Sequence, residues 1–354
     1  MESIYYVICW QCHRACRHCY EDKFRPYRGA ELDGVVAEAV AAFPKIVANF
    51  PERMTYLDLN DPGPEGEPTE KLGWVILAGG EVLDEPVREA VLYPVIESLK
   101  RTYRDKGGVK LAIQTTGDLV TDKIVGELLE RGLDRISVSG IDDYHVGLKG
   151  EEAKQSLIGR LTSLFEARGM TRQTTWLRHD HDRKAKIEDR STYDFWGATP
   201  ETVVGKLWPR GRAWQNAIST ATLADNFCNQ RSGGLNFLQR RYHGSEVSVE
   251  PNGNVYPCCV KTTLPIGSLI EEKLDAMLDR LAGDPVYEAI SMGHPERMGI
   301  AAGWSVEAFL DKCKVTLPSG RVYRNLCIGC DQFHREVLAP RRAQAQAQGR
   351  KAAE

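Results

Sequence analysis

Cys12, Cys16 and Cys19 fall in one short run, Cys12-His13-Arg14-Ala15-Cys16-Arg17-His18-Cys19-Tyr20. Three thiolates spaced C-x3-C-x2-C on a loop can hold three corners of an iron–sulfur cubane. An all-protein four-iron site supplies four cysteines, so a loop that stops at three leaves one iron open to another ligand. An open metal position marks a reactive centre, whereas a closed ligand shell marks a structural one. Zinc is the alternative, with His13 or His18 as a fourth ligand, although zinc loops favour paired C-x2-C or H-x3-H halves. Cys9, outside the triplet in an apolar run, reads as a small buried hydrophobe.

A second set of cysteines lies beyond residue 220: Cys228, Cys258, Cys259, Cys313, Cys327 and Cys330. Cys327 and Cys330 make a C-x2-C half-site that suits zinc and iron–sulfur clusters equally. Cys258 follows the run Val247-Ser248-Val249-Glu250-Pro251-Asn252-Gly253-Asn254-Val255-Tyr256. Alternating strands joined by Pro-Asn-Gly predict a β-hairpin there.

These groups need elements to position them. Apolar periodicity predicts helices near 33–50, 86–104, 121–132 and 151–168. Strands are predicted at 4–8, 74–78, 109–115, 133–139 and 172–178, and such alternation implies parallel β/α units. Active sites of parallel β/α folds gather at the carboxyl ends of the strands. The cysteine triplet follows the first strand, and Gly79-Gly80-Glu81 follows the second. Glycines permit close backbone approach to a ligand, and a carboxylate is a partner for an ammonium group. In Leu111 to Thr116 and Ile136 to Ser139, aliphatic residues alternate with Gln114, Thr116, Ser137 and Ser139. If the aliphatics pack under helices, the polar side chains point inward and need partners there. Segment 51–72, rich in Pro, Gly and Glu, reads as an inserted surface loop. Segment 179–197 is dense in charge and ends in Tyr193-Asp194-Phe195-Trp196-Gly197; its first half reads as a solvated face, and the Ala/Gln-rich tail as surface chain.

With 46 Lys plus Arg and 49 Asp plus Glu, the formal charge of −3 gives no electrostatic case for nucleic acid. No run of 18 apolar residues and no basic leader is present, so neither a membrane span nor a signal peptide is expected. Ten cysteines in an apparently cytoplasmic chain point to metal or redox chemistry rather than disulfides. At 354 residues the chain has room for about two domains.

The order strand, C-x3-C-x2-C with an aromatic, helix, strand, Gly-Gly-Glu resembles the radical S-adenosylmethionine (radical SAM) enzymes. The resemblance implies an α/β fold, a partial (β/α)6 barrel over residues 1–210. It implies a [4Fe–4S] cluster on Cys12, Cys16 and Cys19, with S-adenosylmethionine on the open iron. Tyr20 would lie near the adenine, and Gly79, Gly80 and Glu81 would receive the methionine moiety. Gln114, Thr116, Ser137, Ser139 and Asp142 would complete the S-adenosylmethionine site, Asp142 from the family's ribose-contacting strand. The hairpin, Ile266-Gly267-Ser268-Leu269 and the late C-x2-C resemble the auxiliary-cluster domains called SPASM and Twitch. That implies a small α+β domain at 211–340, followed by a low-complexity tail at 341–354. The two further cysteines that end the SPASM pattern are missing, and Cys228 is farther from Gly253 than the pattern has it. A truncated, Twitch-like domain with one auxiliary [4Fe–4S] cluster is therefore expected on Cys228, Cys258, Cys327 and Cys330, with Cys259 and Cys313 as substitutes. The implied activity is reductive cleavage of S-adenosylmethionine and hydrogen abstraction from a substrate, fed by a donor such as flavodoxin or ferredoxin. The chain starts at the first barrel strand, which favours a small-molecule or cofactor-precursor substrate over a ribosomally made peptide. Arg178, His179 and Arg212 are candidate substrate contacts. A non-catalytic zinc or iron–sulfur binding module is the remote alternative.

Overall fold

The runs rich in β-branched and aromatic residues form the strands. In the computed structural model, which describes residues 1–173, 190–199, 206–229, 233–317 and 320–351, β1 (Ser3–Val7) leads to helix α1 (Ala30–Ala48). An antiparallel ribbon, β2 (Thr55–Pro62) and β3 (Pro68–Leu72), precedes β4 (Trp74–Ala78). Then come α2 (Tyr93–Tyr103), β5 (Lys110–Thr115), α3 (Asp122–Glu130), β6 (Arg135–Ser139) and α4 (Glu151–Ala167). Two short strands follow, β7 (Thr171–Arg172) and β8 (Thr192–Trp196). The chain returns as β9 (Glu246–Val249), β10 (Asn254–Tyr256) and β11 (Gly267–Ser268), and α5 (Leu326–Phe333) carries the late cysteines.

One sheet holds nine of these strands in the order β11-β10-β9-β1-β4-β5-β6-β8-β7. All neighbours from β9 through β7 pair in parallel, and helices make the crossovers, as the α/β expectation required. Alternation divides the sheet into two faces. Ile4, Tyr6, Val75, Leu77, Leu111, Ile113, Ile136, Val138 and Tyr193 are fully buried in the main apolar core. Their neighbours Tyr5, Ile76, Ala112, Gln114, Ser137 and Asp194 line a cavity on the opposite face. Strands β1, β4, β5, β6 and β8 all contribute to that wall, the arrangement of a partial barrel.

Three details differ from expectation. Residues 55–72 form a ribbon rather than a loop, because the Pro/Gly cluster sits at its tip while Thr55 to Asp58 pair with Thr69 to Leu72. Strand β8 lies between β6 and β7, out of chain order. Five residues from Thr192 to Trp196 register fully against β6, whereas two-residue β7 caps the edge. Of the strand expected at 172–178, only its start lies within the described residues. The hairpin β9–β10 is present, and β9 pairs in parallel with β1 from Ser3 to Tyr6, so it extends the main sheet.

Leu77 sits in the strand that presents Gly79 and Gly80 and has no exposed surface. Leu77→Ala is expected to cost about 2–5 kcal/mol. In urea unfolding the midpoint should fall with an unchanged slope.

Candidate functional site

The cysteine loop leaves the carboxyl end of β1 and folds back on itself. Cys12 N–H donates to Arg25 O at 3.1 Å, and Cys19 N–H to Cys16 O at 3.2 Å. Residues 210–216 clamp it from outside. The Arg212 guanidinium donates to the carbonyls of Cys16 at 2.8 Å, Asp22 at 3.0 Å and Phe24 at 2.7 Å. Ala213 N–H donates to Cys19 O, and Asn216 Nδ2 to Arg17 O. Gly211 adopts φ +53°, and a Cβ there would lie 2.3 Å from the Tyr20 carbonyl carbon. Arg212, expected among the substrate contacts, lines the cavity and also holds the loop's backbone.

Gly79 and Gly80 meet the same loop from β4. A Cβ on Gly79 would lie 2.9 Å from Cys9 O, and one on Gly80 would lie 2.2 Å from Gln11 O and 2.6 Å from Cys12 Cβ. Only glycine admits this approach. Glu81, by contrast, is buried and turns away from the cavity. Its carboxylate accepts from Leu83 N at 3.0 Å, Thr115 Oγ1 at 2.8 Å, Thr116 N at 2.9 Å and Thr116 Oγ1 at 2.8 Å. Burial pushes its pKa up against these hydrogen bonds. Glu81 therefore stitches the end of β4 to the end of β5.

Cys12, Cys16 and Cys19 open on a cavity of about 310 Å³, within the range of small-molecule sites. Its wall includes Tyr20, Gly79, Gly80, Gln114, Thr116, Ser137, Ser139 and Asp142. Sequence expectation grouped these residues, and the fold brings them together. Gln114 Oε1 accepts from Tyr5 Oη at 3.1 Å, and Ser139 Oγ reaches Thr115 O at 3.5 Å. The Tyr20 ring packs edge-on against Trp208 at 4.8 Å and Phe24 at 5.9 Å. Asp142 Oδ1 accepts from Tyr144 N, His145 N and His145 Nδ1, and Oδ2 from Ala198 N. Burial opposes its ionisation, but these bonds, led by His145, hold the carboxyl well below the usual range. Arg178 and His179 lie outside the described residues.

The sequence did not point to Arg14, Trp74, Arg135, His145, Asp194, Trp196 or Trp208, all of which also line the cavity. For Trp74, Arg135, Asp194 and Trp196, extending the strand alternation would have found them. The others come from loops, where no periodicity applies.

Burial pushes the Cys12 thiol up to about 12 and Cys19 up to about 11, and raises Cys16 as well. These are protonated thiols until a metal displaces the proton. One zinc ion at Zn–S distances of about 2.3 Å would draw its sulfurs to about 3.8 Å apart. Among the described residues no three cysteines bring Sγ atoms within 4.8 Å of one another.

In the second set, Cys228 is raised far by burial and by its neighbours Cys258, Cys327 and Cys330. Burial also lifts Cys258 to about 12 and Cys327 to about 11. Cys327 and Cys330 lie on α5, whose start is capped by Asn325 accepting from Cys327 N at 2.9 Å. Cys313 faces elsewhere, donating to Phe309 O at 3.3 Å and packing against Gly329. Cys259 turns from the quartet into the first cavity. Between the two regions, Lys261 Nζ donates to Glu21 at 2.5 Å and Glu250 at 2.9 Å.

No family model and no curated protein matches the chain. Solved structures similar to it include a histidine-tagged form of anSMEcpe with bound AdoMet, at 12% identity and TM-score 0.42, covering 98% of this chain and 95% of that one. BtrN in complex with AdoMet and 2-DOIA is similar at 14% identity and TM-score 0.41, covering 83% and 88%. Streptococcus suis SuiB bound to precursor peptide SuiA is similar at 11% identity and TM-score 0.31, covering 86% and 74%.

Arg212→Ala removes three bonds that hold the cysteine loop. Given iron and sulfide anaerobically and then gel-filtered, the variant should retain less iron than a chain with Arg212 intact. Unchanged iron with only a raised KM would instead assign Arg212 to substrate.

Proposed function

We propose that the chain is a radical SAM enzyme. The observation that carries this reading is the meeting of Cys12, Cys16 and Cys19 on one cavity whose remaining wall is polar strand ends and aromatic rings. In the order of its motifs the chain resembles that family. The cysteines fit a [4Fe–4S] cluster: three thiol ligands from one loop, opening together on the cavity. Cys12, Cys16 and Cys19 would hold such a cluster, which, reduced by a flavodoxin- or ferredoxin-type donor, would supply the electron for cleaving S-adenosylmethionine to methionine and a 5′-deoxyadenosyl radical able to remove hydrogen from a substrate C–H bond.

The chain's own residues bind, orient and exclude water. Gly79 and Gly80 fit the role of receiving the methionine end, because backbone there is unshielded by side chains. Thr116, Ser137, Ser139 and Gln114 offer hydroxyl and amide partners along the strand ends. Tyr20, Phe24 and Trp208 form an aromatic corner suited to a purine ring. Glu81 serves this site through Thr115 and Thr116, by fixing the strand end. Cys228, Cys258, Cys327 and Cys330 fit an auxiliary [4Fe–4S] cluster that accepts an electron or positions the substrate, closed in by Arg210, which pairs with Asp331 at 2.7 Å.

A small polar substrate is the reading the cavity favours. Its inner end is lined by Trp74, Ile76, Arg135 and Asp194, apolar walls with charge of both signs. The Arg135 guanidinium lies over the Trp74 ring at 4.2 Å.

Anaerobic protein with dithionite and S-adenosylmethionine should form 5′-deoxyadenosine, and Cys16→Ala should form none. Loaded protein should hold about eight irons per chain, and about four when Cys12, Cys16 and Cys19 are replaced together. No 5′-deoxyadenosine from iron-loaded protein, or equal amounts from Cys16→Ala, overturns the reading. The small-molecule filtrate of a cell extract, rather than its peptide fraction, should stimulate 5′-deoxyadenosine formation; the reverse result assigns peptide maturation.

A further inference from the structure

We propose that His18, His145 and Asp142 form a site for one divalent metal ion of the zinc or ferrous class, distinct from both cysteine groups and opening on the cavity. His18 comes from the cysteine loop, and Asp142 and His145 come from the turn after β6. One ligand-capable atom from each lies within 4.8 Å of the other two. Bonds of about 2.0–2.2 Å set such ligands roughly 3.3 Å apart, so a closure of at most about 1.5 Å completes the set. All three side chains line the cavity.

Three features favour an ion over simple packing. His18 Nδ1 is buried with no hydrogen-bond partner, which carries a desolvation cost. The His18 and His145 rings lie 4.4 Å apart, edge to face, so two imidazoles are already adjacent. Asp142 Oδ1 and His145 Nδ1 lie 2.9 Å apart, sharing one proton, so an ion that displaces that proton would take both atoms as neighbouring ligands. Asp142 Oδ2 accepts from Ala198 N at 3.0 Å and keeps a lone pair for the ion. Two imidazoles and one carboxylate suit zinc or ferrous ions rather than calcium or magnesium. The remaining coordination positions face the cavity and are open to a lone-pair group of a substrate.

The test uses the full chain, loaded anaerobically with iron and sulfide, given zinc sulfate and dialysed. Wild type should retain about one more zinc per chain than His145→Gln, with equal iron, sulfide and circular dichroism. Zinc X-ray absorption should show only nitrogen and oxygen neighbours at about 2.0–2.1 Å. Equal zinc in wild type and His145→Gln, or sulfur neighbours at about 2.3 Å, overturns the proposal. The comparison reads this site whatever the cysteines hold, so it stands or falls apart from 5′-deoxyadenosine formation.

Discussion

The parallel pairing of β1 on both of its edges is the constraint on which the rest depends. One edge meets β4 and the other meets β9, so a single central strand fixes where two distant stretches of chain arrive. The cysteine loop springs from its carboxyl end, the Gly-Gly turn from the end of β4, and the hairpin leading to Cys258 from beside β9. Because β1 and β4 pair in register through Val7 and Ala78, the first two reach one mouth without long supports, whereas β10 runs back antiparallel to β9 and carries Cys258 toward the amino end of β1.

Around that mouth the structure spends its polar groups on geometry. Glu81, Arg212 and Asp142 each accept or donate three or more hydrogen bonds to backbone and neighbouring side chains. Lys261 joins Glu21 to Glu250 with little exposure, and Lys261 itself adopts φ +66°. Buried ion pairs of this sort contribute little net stability and far more to holding one arrangement. The loops here have no ladder of their own, and these contacts replace one.

Much of this was legible in the sequence because it followed from periodicity. The two-residue alternation in Leu111–Thr116 and Ile136–Ser139 assigned Gln114, Thr116, Ser137 and Ser139 to the inner face, where they lie. The cysteine spacing separated the triplet from the later set, and Pro-Asn-Gly marked the hairpin. What escaped depends on long-range geometry. Nothing local says that the Glu81 carboxylate meets Thr115 and Thr116, or that Arg212 reaches back to Cys16, because those partners are about 35 and 196 residues away. The ribbon at 55–72 was hidden by its own turn, whose Pro and Gly residues dominate the local composition.

The position of β8 has a consequence for how the chain is made. Strand β7 leaves the ribosome before β8, yet its place in the sheet exists only beside β8. Until Thr192–Trp196 emerges, β6 lacks the partner it has in the sheet and presents an unpaired edge. The wall of the cavity formed by β8 is therefore the last part of the parallel sheet's far edge to close during synthesis, and the nascent chain is most exposed to wrong pairing in that interval.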